Sequence, residues 1–319
     1  MSRKNLLLTG SCGFIGSNFI RKSIYDKCPY QLFSVDKIAS SSMLNNIYQH
    51  KIHEFYVADI CDEHIMDKIF EYVKPQIVIN MAAESAVDKS ISDPNIFVKS
   101  NIFGTQNMIN LSIKYGVDVF FQISTDETYG ALQDKNDPLW DENSPVNPLN
   151  PYSATKCAAE LIVKAAHNTH KIPYFISRGS NTYGMRQTSN KLIPRIIKSI
   201  MNNETIKIYG NGTQIRDWLH VSDHCSAILK ILDKGTACET YNISANEEFS
   251  NLEIAQTICD IMGDGKIEFV KDRPGHDFRY GINSSKLRNL GWRPVYKFKD
   301  GIKNVIEWFQ INKWFLDNN

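Results

Sequence analysis

Short apolar runs alternate with longer amphipathic stretches through the first half of the chain. The runs are rich in β-branched and aliphatic residues, which is typical of strands buried on both faces of a parallel sheet. The stretches between them place apolar residues with the period of a helix. Strands are predicted at 5–9, 31–35, 54–57, 76–80, 119–124 and 173–177, and helices near 14–26, 63–73, 94–115 and 151–169. This order predicts an α/β fold built on a Rossmann-type, doubly wound parallel sheet.

Beyond Arg178 the predicted elements become shorter, with turn signals at 210–212 and 273–275. We expect residues 1–180 to form the first domain, with 213–243 returning to it. Residues 181–212 and 244–319 are expected to form a smaller C-terminal lobe interleaved with that domain.

Composition limits the classes of partner. The 319 residues are 42% hydrophobic, and 36 Lys and Arg against 35 Asp and Glu leave a net charge of +1. This balance favours neither nucleic acid nor a membrane surface. The apolar run that ends at Gly10 is too short for a signal peptide or a spanning helix. We therefore expect a soluble cytoplasmic protein.

Cysteine and histidine usage gives no sign of a metal. The seven cysteines are scattered without a Cys-x-x-Cys pair, as expected for reduced thiols. His167 with His170, and His220 with His224, are spaced to meet a metal on one helix face, but no third ligand stands at a recognisable spacing. Surface or hydrogen-bonded histidines are expected instead.

A glycine-rich turn joins the first predicted strand to the first helix. Gly10 suits a tight turn, Gly13 allows close approach of a pyrophosphate, and Gly16 lets the helix pack on the strand. The helix that starts at Phe14 and Ile15 offers free N–H groups and a positive dipole end. The turn therefore predicts a dinucleotide site.

Asp36 closes the second strand. A carboxylate there accepts hydrogen bonds from the adenosine ribose and repels a 2′-phosphate, which predicts NAD rather than NADP. Lys37, the next residue, opposes that preference. For Asp59, after the third strand, loop capping is an equally good explanation. Further cofactor candidates are Asp59, Ile60, Ala82, Ala83 and Ser100.

Tyr152 and Lys156 stand four residues apart in a helix opened by Pro151, so both project from one face. We expect the lysine charge to lower the pKa of the tyrosine and to hold the nicotinamide ribose. The resulting phenolate would accept a proton from a sugar hydroxyl.

With these motifs the chain resembles the extended short-chain dehydrogenases/reductases along nearly its whole length, and among them the nucleoside-diphosphoglucose 4,6-dehydratases. The specific segment is Ser124-Thr125-Asp126-Glu127-Thr128-Tyr129-Gly130. Sugar 4-epimerases of this superfamily typically have small residues at the two acidic positions, and the decarboxylases usually keep only the glutamate. Adjacent carboxyl groups can divide into an acid that protonates a departing hydroxyl and a base that removes a carbon-bound proton. The implied catalytic residues are Thr125, Asp126, Glu127, Tyr152 and Lys156.

The resemblance also implies substrate contacts. The residues implied to contact the sugar and its phosphates are Ser85, Thr125 and Asn181. Those implied to contact the base and ribose are Lys191, Leu192 and Tyr209. Those implied to lie near the diphosphate are Arg216, Asn251 and Arg273, and His276 is a further candidate. Four positions depart from the residues usual in the family: Ala86 replaces histidine, Met185-Arg186 replaces a proline-containing pair, and His220 replaces tyrosine.

The implied reaction converts UDP-glucose or dTDP-glucose to the 4-keto-6-deoxy sugar through transient reduction of NAD, for rhamnose-type deoxysugar synthesis. Segments 150–156 and 177–181 resemble eukaryotic UDP-glucose enzymes, whereas 273–277 resembles bacterial dTDP-glucose enzymes. Together they slightly favour UDP-glucose as the substrate. The resemblance and the two long helical patterns also imply a homodimer. The alternatives are a UDP-glucuronate decarboxylase, a nucleotide-sugar 4-epimerase, or a non-catalytic NAD-binding regulator.

Overall fold

The computed structural model describes residues 3–38, 43–263, 265–272 and 277–317. Its strands are β1 Lys4–Thr9, β2 Tyr30–Asp36, β3 His53–Val57, β4 Ile77–Asn80, β5 Val119–Thr125, β6 Tyr174–Gly179, β7 Asn181–Tyr183, β8 Ile206–Tyr209, β9 Ile215–His220, β10 Glu239–Ile243, β11 Glu248–Ser250, β12 Ile267–Val270 and β13 Arg279–Tyr280. Its helices are α1 Phe14–Tyr25, α2 Glu63–Val73, α3 Val87–Ser92, α4 Pro94–Phe97, α5 Gly104–Lys114, α6 Pro151–His170, α7 Leu192–Met201, α8 Val221–Lys234, α9 Asn251–Met262, α10 Ser285–Asn289, α11 Phe298–Ile311 and α12 Lys313–Asp317.

The predicted strands of the first half correspond to β1 to β6, with ends that differ by one or two residues. The predicted helix at 94–115 is α4 and α5 joined by a π-helical turn, Val98–Phe103. Wide turns of this kind often occur at functional sites, and this one carries Ser100.

A seven-stranded sheet of parallel strands has the order β10-β6-β5-β4-β1-β2-β3, which confirms the Rossmann-type prediction. The chain order reverses between β1 and β4, where Leu8 pairs with Ile79. At such a switch point the loops after the strands diverge and leave a crevice for a ligand.

The last strand of this sheet comes from far along the chain. β10 pairs with β6, from Glu239 beside Phe175 to Ile243 beside Gly179. β9 also belongs to the segment 213–243, but it lies in a second sheet, where it pairs with β7, β11 and β13. β8 and β12 form a third, two-stranded sheet.

Side-chain alternation along the strands places apolar layers on both faces of the main sheet. Leu6 and Leu8 face a layer that includes Phe19 of α1, whereas Leu7 faces the opposite layer with Phe70 of α2. A third apolar cluster lies where α7, α9 and α11 pack around Ile197. None of the helices in the described ranges combines the length and apolar character needed to cross a bilayer.

Candidate active site

The glycine turn after β1 lies at the switch point of the sheet. Gly10 has φ +74°, and a Cβ built there would stand 2.8 Å from the backbone nitrogen of Ala82. A Cβ at Gly16 would overlap the carbonyl oxygen of Gly10. Gly13 provides no side-chain cap for α1, so the first N–H groups of the helix remain available to an anion. This backbone fits the pyrophosphate of a dinucleotide.

A cleft of about 1150 Å³, including its solvent-open mouth, extends from this turn along the carboxyl ends of the strands. Every residue predicted to bind the cofactor lines it: Gly10, Gly13, Phe14, Ile15, Gly16, Asp36, Lys37, Asp59, Ile60, Ala82, Ala83, Ser100, Tyr152 and Lys156. Two predicted substrate residues, Ser85 and Lys191, line it as well. Lys191 Nζ donates to the carbonyl oxygen of Ser85 at 3.0 Å.

Asp36 and Lys37 have different environments in this cleft. The buried Asp36 carboxylate accepts from the backbone nitrogens of Cys12 at 2.9 Å and Ile38 at 2.8 Å, which fixes its orientation. Lys37 Nζ lies 3.2 Å from a Glu84 carboxylate oxygen and 3.9 Å from one of Asp59. The lysine charge is thus offset by two acids, so it opposes the effect of Asp36 less than its position in the sequence suggests.

Asp59 also has the capping role that the sequence left open. Its Oδ1 accepts from the backbone nitrogen of Cys61 at 3.0 Å, while the residue lines the cleft.

Tyr152 and Lys156 enter the cleft from the first turns of α6. Asn150 caps this helix by accepting from the Ser153 nitrogen at 2.9 Å, and Pro151 provides a first helical residue with preset φ. Lys156 is buried, and burial lowers its pKa to about 8.

The expected effect of Lys156 on the Tyr152 pKa is wrong for this structure. Lys156 Nζ donates to the carbonyl oxygen of Ile123 at 2.5 Å. Burial raises the pKa of Tyr152 most, and the Glu127 carboxylate raises it further. The hydrogen bond with the Thr125 hydroxyl lowers it by less. Tyr152 is therefore a neutral phenol here.

The acidic pair follows β5 in a short 3-10 turn. Asp126 is 3% exposed, and its Oδ2 has no hydrogen-bond partner among the described residues. Burial raises the pKa of Asp126 to about 8, with further contributions from the Glu127 and Asp217 charges. Asp126 is therefore protonated at neutral pH and can act as an acid.

Glu127 is half-buried and has a hydrogen-bond donor. Asn150 Nδ2 donates to Glu127 Oε2 at 3.0 Å. Burial raises the pKa of Glu127, whereas this hydrogen bond and the charges of Arg216 and Lys191 lower it. The environment thus differs between two adjacent carboxyl groups, as an acid and a base require.

Arg216 lies beside this acidic pair. Its guanidinium donates to the backbone carbonyls of Ile215 at 2.7 Å and Asp277 at 3.0 Å and stands over the Tyr280 ring. The Arg216 side chain is buried. It is not one of the described residues that line the cofactor cleft.

The remaining predicted substrate residues that the structure describes lie beyond β6 in the chain. Asn181 is in β7, Leu192 begins α7, Tyr209 ends β8 and Asn251 begins α9. The Arg195 guanidinium lies 5.5 Å from the centre of the Tyr209 ring, and Asn251 Nδ2 donates to Gln214 at 3.4 Å. Arg273 and His276 lie outside the described residues.

Eight residues that line the cleft are not among the predicted site residues: Val35, Ala58, Met81, Glu84, Ile123, Ser124, Gln187 and Thr188. Glu84 directly precedes Ser85 in the sequence, which is a weak signal. Gln187 and Thr188 follow Arg186 in a loop, where nothing in the local pattern marks them.

The two histidines of the second pair are buried rather than at the surface. His220 stacks on Tyr296 with ring centres 4.0 Å apart, and His224 Nδ1 lies 2.8 Å from the Thr182 hydroxyl. Burial lowers the pKa of both imidazoles to about 4.

Comparison with known proteins identifies relatives along almost the whole chain. The sequence model of the family described as GDP-mannose 4,6 dehydratase matches residues 7–305. The low-salt glycan biosynthesis protein Agl12 of Haloferax volcanii is 38% identical over 96% of this chain and 98% of its own. The dTDP-glucose 4,6-dehydratase of Haemophilus influenzae is also 38% identical, over 97% and 98%. The crystal structure of dTDP-glucose 4,6-dehydratase from Bacillus anthracis in complex with NAD superposes with a TM-score of 0.90 at 35% identity, over 98% and 99% of the two chains.

Proposed function

Since this chain belongs to the GDP-mannose 4,6 dehydratase family, within the extended short-chain dehydrogenases/reductases, we propose that it is an NAD-dependent nucleoside-diphosphoglucose 4,6-dehydratase. It converts the nucleotide-activated glucose to its 4-keto-6-deoxy derivative and water. The observation that carries the proposal is the acidic pair Asp126 and Glu127, whose side chains act electrostatically on the Tyr152 phenol.

The cofactor cleft fits this assignment. The glycine turn would hold the pyrophosphate, Asp36 the adenosine ribose, and Tyr152 with Lys156 the nicotinamide ribose. NAD bound there would accept hydride from C4 of the sugar and return it to C6 after the loss of water.

Tyr152 accepts the proton of the 4-hydroxyl group. Because burial and Glu127 raise its pKa, no free phenolate waits for the substrate. The phenol must therefore release its own proton to solvent before it can accept that of the 4-hydroxyl group, and the positive charge of NAD bound in the cleft would favour this release.

The acidic pair then carries out the elimination. The 4-ketone acidifies the proton on C5, and Glu127 removes that proton. Asp126, protonated at neutral pH, donates its proton to the departing C6 hydroxyl, which leaves as water. The protonated Glu127 then returns a proton to C5 as C6 receives hydride, and Asp126 regains its proton from solvent. NAD bound in the cleft would thereby end the turnover in the form in which it began.

For the nucleotide we propose dTDP-glucose as the preferred substrate, because the relatives from Haemophilus influenzae and Bacillus anthracis carry that sugar nucleotide in their names. The segments 150–156 and 177–181 support UDP-glucose instead. The two bases differ by one methyl group, and such a contact discriminates by only ~1–3 kcal/mol. A role in making rhamnose-type deoxysugars rests on the same resemblance.

The test is incubation of the purified protein with dTDP-glucose, UDP-glucose and UDP-glucuronate in separate reactions, followed by mass spectrometry. Loss of water from a glucose nucleotide supports the dehydratase. Loss of carbon dioxide from UDP-glucuronate would assign a decarboxylase, and an isomer of unchanged mass a 4-epimerase. If none of the three sugar nucleotides is converted, the alternative of a non-catalytic NAD-binding regulator remains.

We also propose that the chain forms a homodimer through the α4–α5 and α6 region. Exposed apolar side chains there include Val98 at 47%, Phe103 at 48% and Leu161 at 56%. A self-complementary apolar face of this kind suits a two-fold interface. A monomer mass by light scattering at micromolar concentration would refute the proposal.

A further inference from the structure

A second cleft lies on the outer side of α1, away from the cofactor cleft. Its volume is about 1370 Å³ including its open mouth, and it shares no lining residue with the cofactor cleft. The loop at Met185-Arg186, the residues before α11 and the start of α8 form its other walls. The reaction described above uses none of these side chains.

Two arginines line this cleft, and neither forms an ion pair with a carboxylate of a described residue. Arg21 Nε is buried and has no hydrogen-bond partner in the described residues, although Nη2 donates to the Asn46 carbonyl at 3.3 Å. The Arg186 guanidinium forms no hydrogen bond or ion pair with the part of the chain that the structure describes, and stands over the Trp308 ring. The like charge of Arg21 adds to burial in lowering the pKa of Arg186 to about 10.

The carboxylates nearby are already occupied. Asp26 pairs with Lys22 at 2.5 Å. Asp223 accepts from the backbone nitrogens of Val295 at 3.0 Å and Tyr296 at 2.9 Å. Neither acid forms an ion pair with a guanidinium of the cleft, so two positive charges remain without a counter-ion from the described part of the chain.

The backbone at Arg186 is also unusual. Its φ is +69°, in the left-handed region that a residue with a side chain rarely adopts. Asn18 Nδ2 fixes the preceding residue by donating to the Met185 carbonyl at 3.0 Å. Strained backbone of this kind is concentrated at ligand sites, where the surrounding structure maintains it.

We propose that this second cleft is a binding site for the phosphate group of a small molecule, held between Arg21 and Arg186. A phosphate monoester carries close to two negative charges and a diphosphate carries at least two, which matches two uncompensated guanidinium groups, whereas a single carboxylate matches only one. The planar fork of each guanidinium pairs with two phosphate oxygens. Tyr48 and Tyr296 also line this cleft, and a phenol group can donate a further hydrogen bond.

The experiment is calorimetric titration of inorganic pyrophosphate into the protein saturated with NAD and dTDP. NAD fills the cofactor cleft, and dTDP fills the proposed site of the nucleotide sugar. Saturable binding with one pyrophosphate per chain is expected. Succinate, a dianion without phosphate geometry, is expected to bind at least about tenfold more weakly. Equal affinity for succinate, or no saturable heat with pyrophosphate, would overturn the proposal.

Variants locate the site. Arg21→Gln and Arg186→Gln should each weaken pyrophosphate binding by about tenfold or more, since each removes a charge-assisted contact. Arg186→Lys should fall between wild type and Arg186→Gln. Arg3→Gln, which removes an exposed charge, is the matched control and should bind like wild type. Thermal unfolding without ligand checks that each variant is folded. Wild-type affinity in folded Arg186→Gln would place the anion elsewhere and refute the site.

Discussion

The ammonium nitrogen of Lys37 lies 3.2 Å from Oε1 of Glu84. This pairing offsets the cation that stands next to Asp36 and would otherwise attract a 2′-phosphate. We expect Glu84→Gln to narrow the preference for NAD over NADP by about tenfold, which corresponds to ~1.4 kcal/mol. Calorimetric Kd values for both cofactors measure it. Glu71→Gln, an exposed acid on α2, is the control; an unchanged NADP affinity in Glu84→Gln would mean that Asp36 alone determines the choice.

Tyr152→Phe should lower kcat by about 10²–10⁴, because it removes the group that accepts the 4-hydroxyl proton. Binding of NAD and of the nucleotide sugar should change little, since the ring is retained. Steady-state rates and equilibrium titrations separate the two effects. Tyr25→Phe removes a hydroxyl from a side chain that is 85% exposed and should be neutral. Near-normal turnover in Tyr152→Phe would show that another residue takes the proton.

Glu127→Gln and Asp126→Asn should block the elimination at different points. Without Glu127, the C5 proton stays, so recovered substrate should gain no solvent deuterium at C5 while absorbance of reduced nicotinamide builds up. Without Asp126, departure of the C6 hydroxyl slows, but deuterium should still enter C5 because Glu127 remains. Mass spectrometry of recovered sugar nucleotide in deuterated water distinguishes them. Wild-type dehydration by Glu127→Gln would disprove the base assignment and reopen the decarboxylase and epimerase alternatives.

The rate of dehydration should fall as pH rises through about 8. Burial raises the pKa of Asp126 to about 8, so above this pH the residue loses the proton that it must donate to the leaving hydroxyl. A pH profile of kcat with saturating substrate tests this. The decrease in kcat at high pH should be absent from the residual activity of Asp126→Asn. A flat wild-type profile between pH 7 and about 9 would contradict the role of Asp126 as the acid.

The two buried histidines should lower the stability of the fold in weak acid. His220 and His224 have folded-state pKa values near 4, below the unfolded value of 6.5, so the unfolded chain binds their protons first. The contribution of these two histidines to the free energy of unfolding should therefore fall as pH drops from about 6.5 to about 4, whereas Asp126, with its raised pKa, contributes in the opposite direction. Urea titrations across this range measure the slope.

His220→Tyr should flatten part of that slope, since it removes one buried imidazole and retains a ring against Tyr296. The exposed His170→Tyr is the matched control and should keep the wild-type slope. Identical slopes in His220→Tyr and wild type would show that His220 does not contribute.

The local pattern predicted what depends on neighbours in sequence. The alternation of runs located β1 to β6, and the i, i+4 spacing of Tyr152 and Lys156 placed both on the cleft side of α6. The glycine turn could be predicted from the spacing of its three glycines and from the strand that precedes it.

Features that depend on distant partners were not predictable. The direction of Lys156 Nζ depends on the Ile123 carbonyl of a neighbouring strand, and the effect of Lys37 depends on Glu84, which follows another strand. The course of β10 beside β6 is likewise invisible in the sequence, because nothing within Glu239–Ile243 states which edge it joins.

That late strand has a consequence for biosynthesis. While the chain emerges from the ribosome, β6 is an open sheet edge, with unpaired N–H and C=O groups, until residues 239–243 have been translated. An N-terminal fragment that stops after β6 would expose this edge permanently and would be prone to aggregate. For the same reason, a cut between β6 and β10 cannot release an intact Rossmann half, so splitting the protein for expression in two pieces requires that both halves be made together.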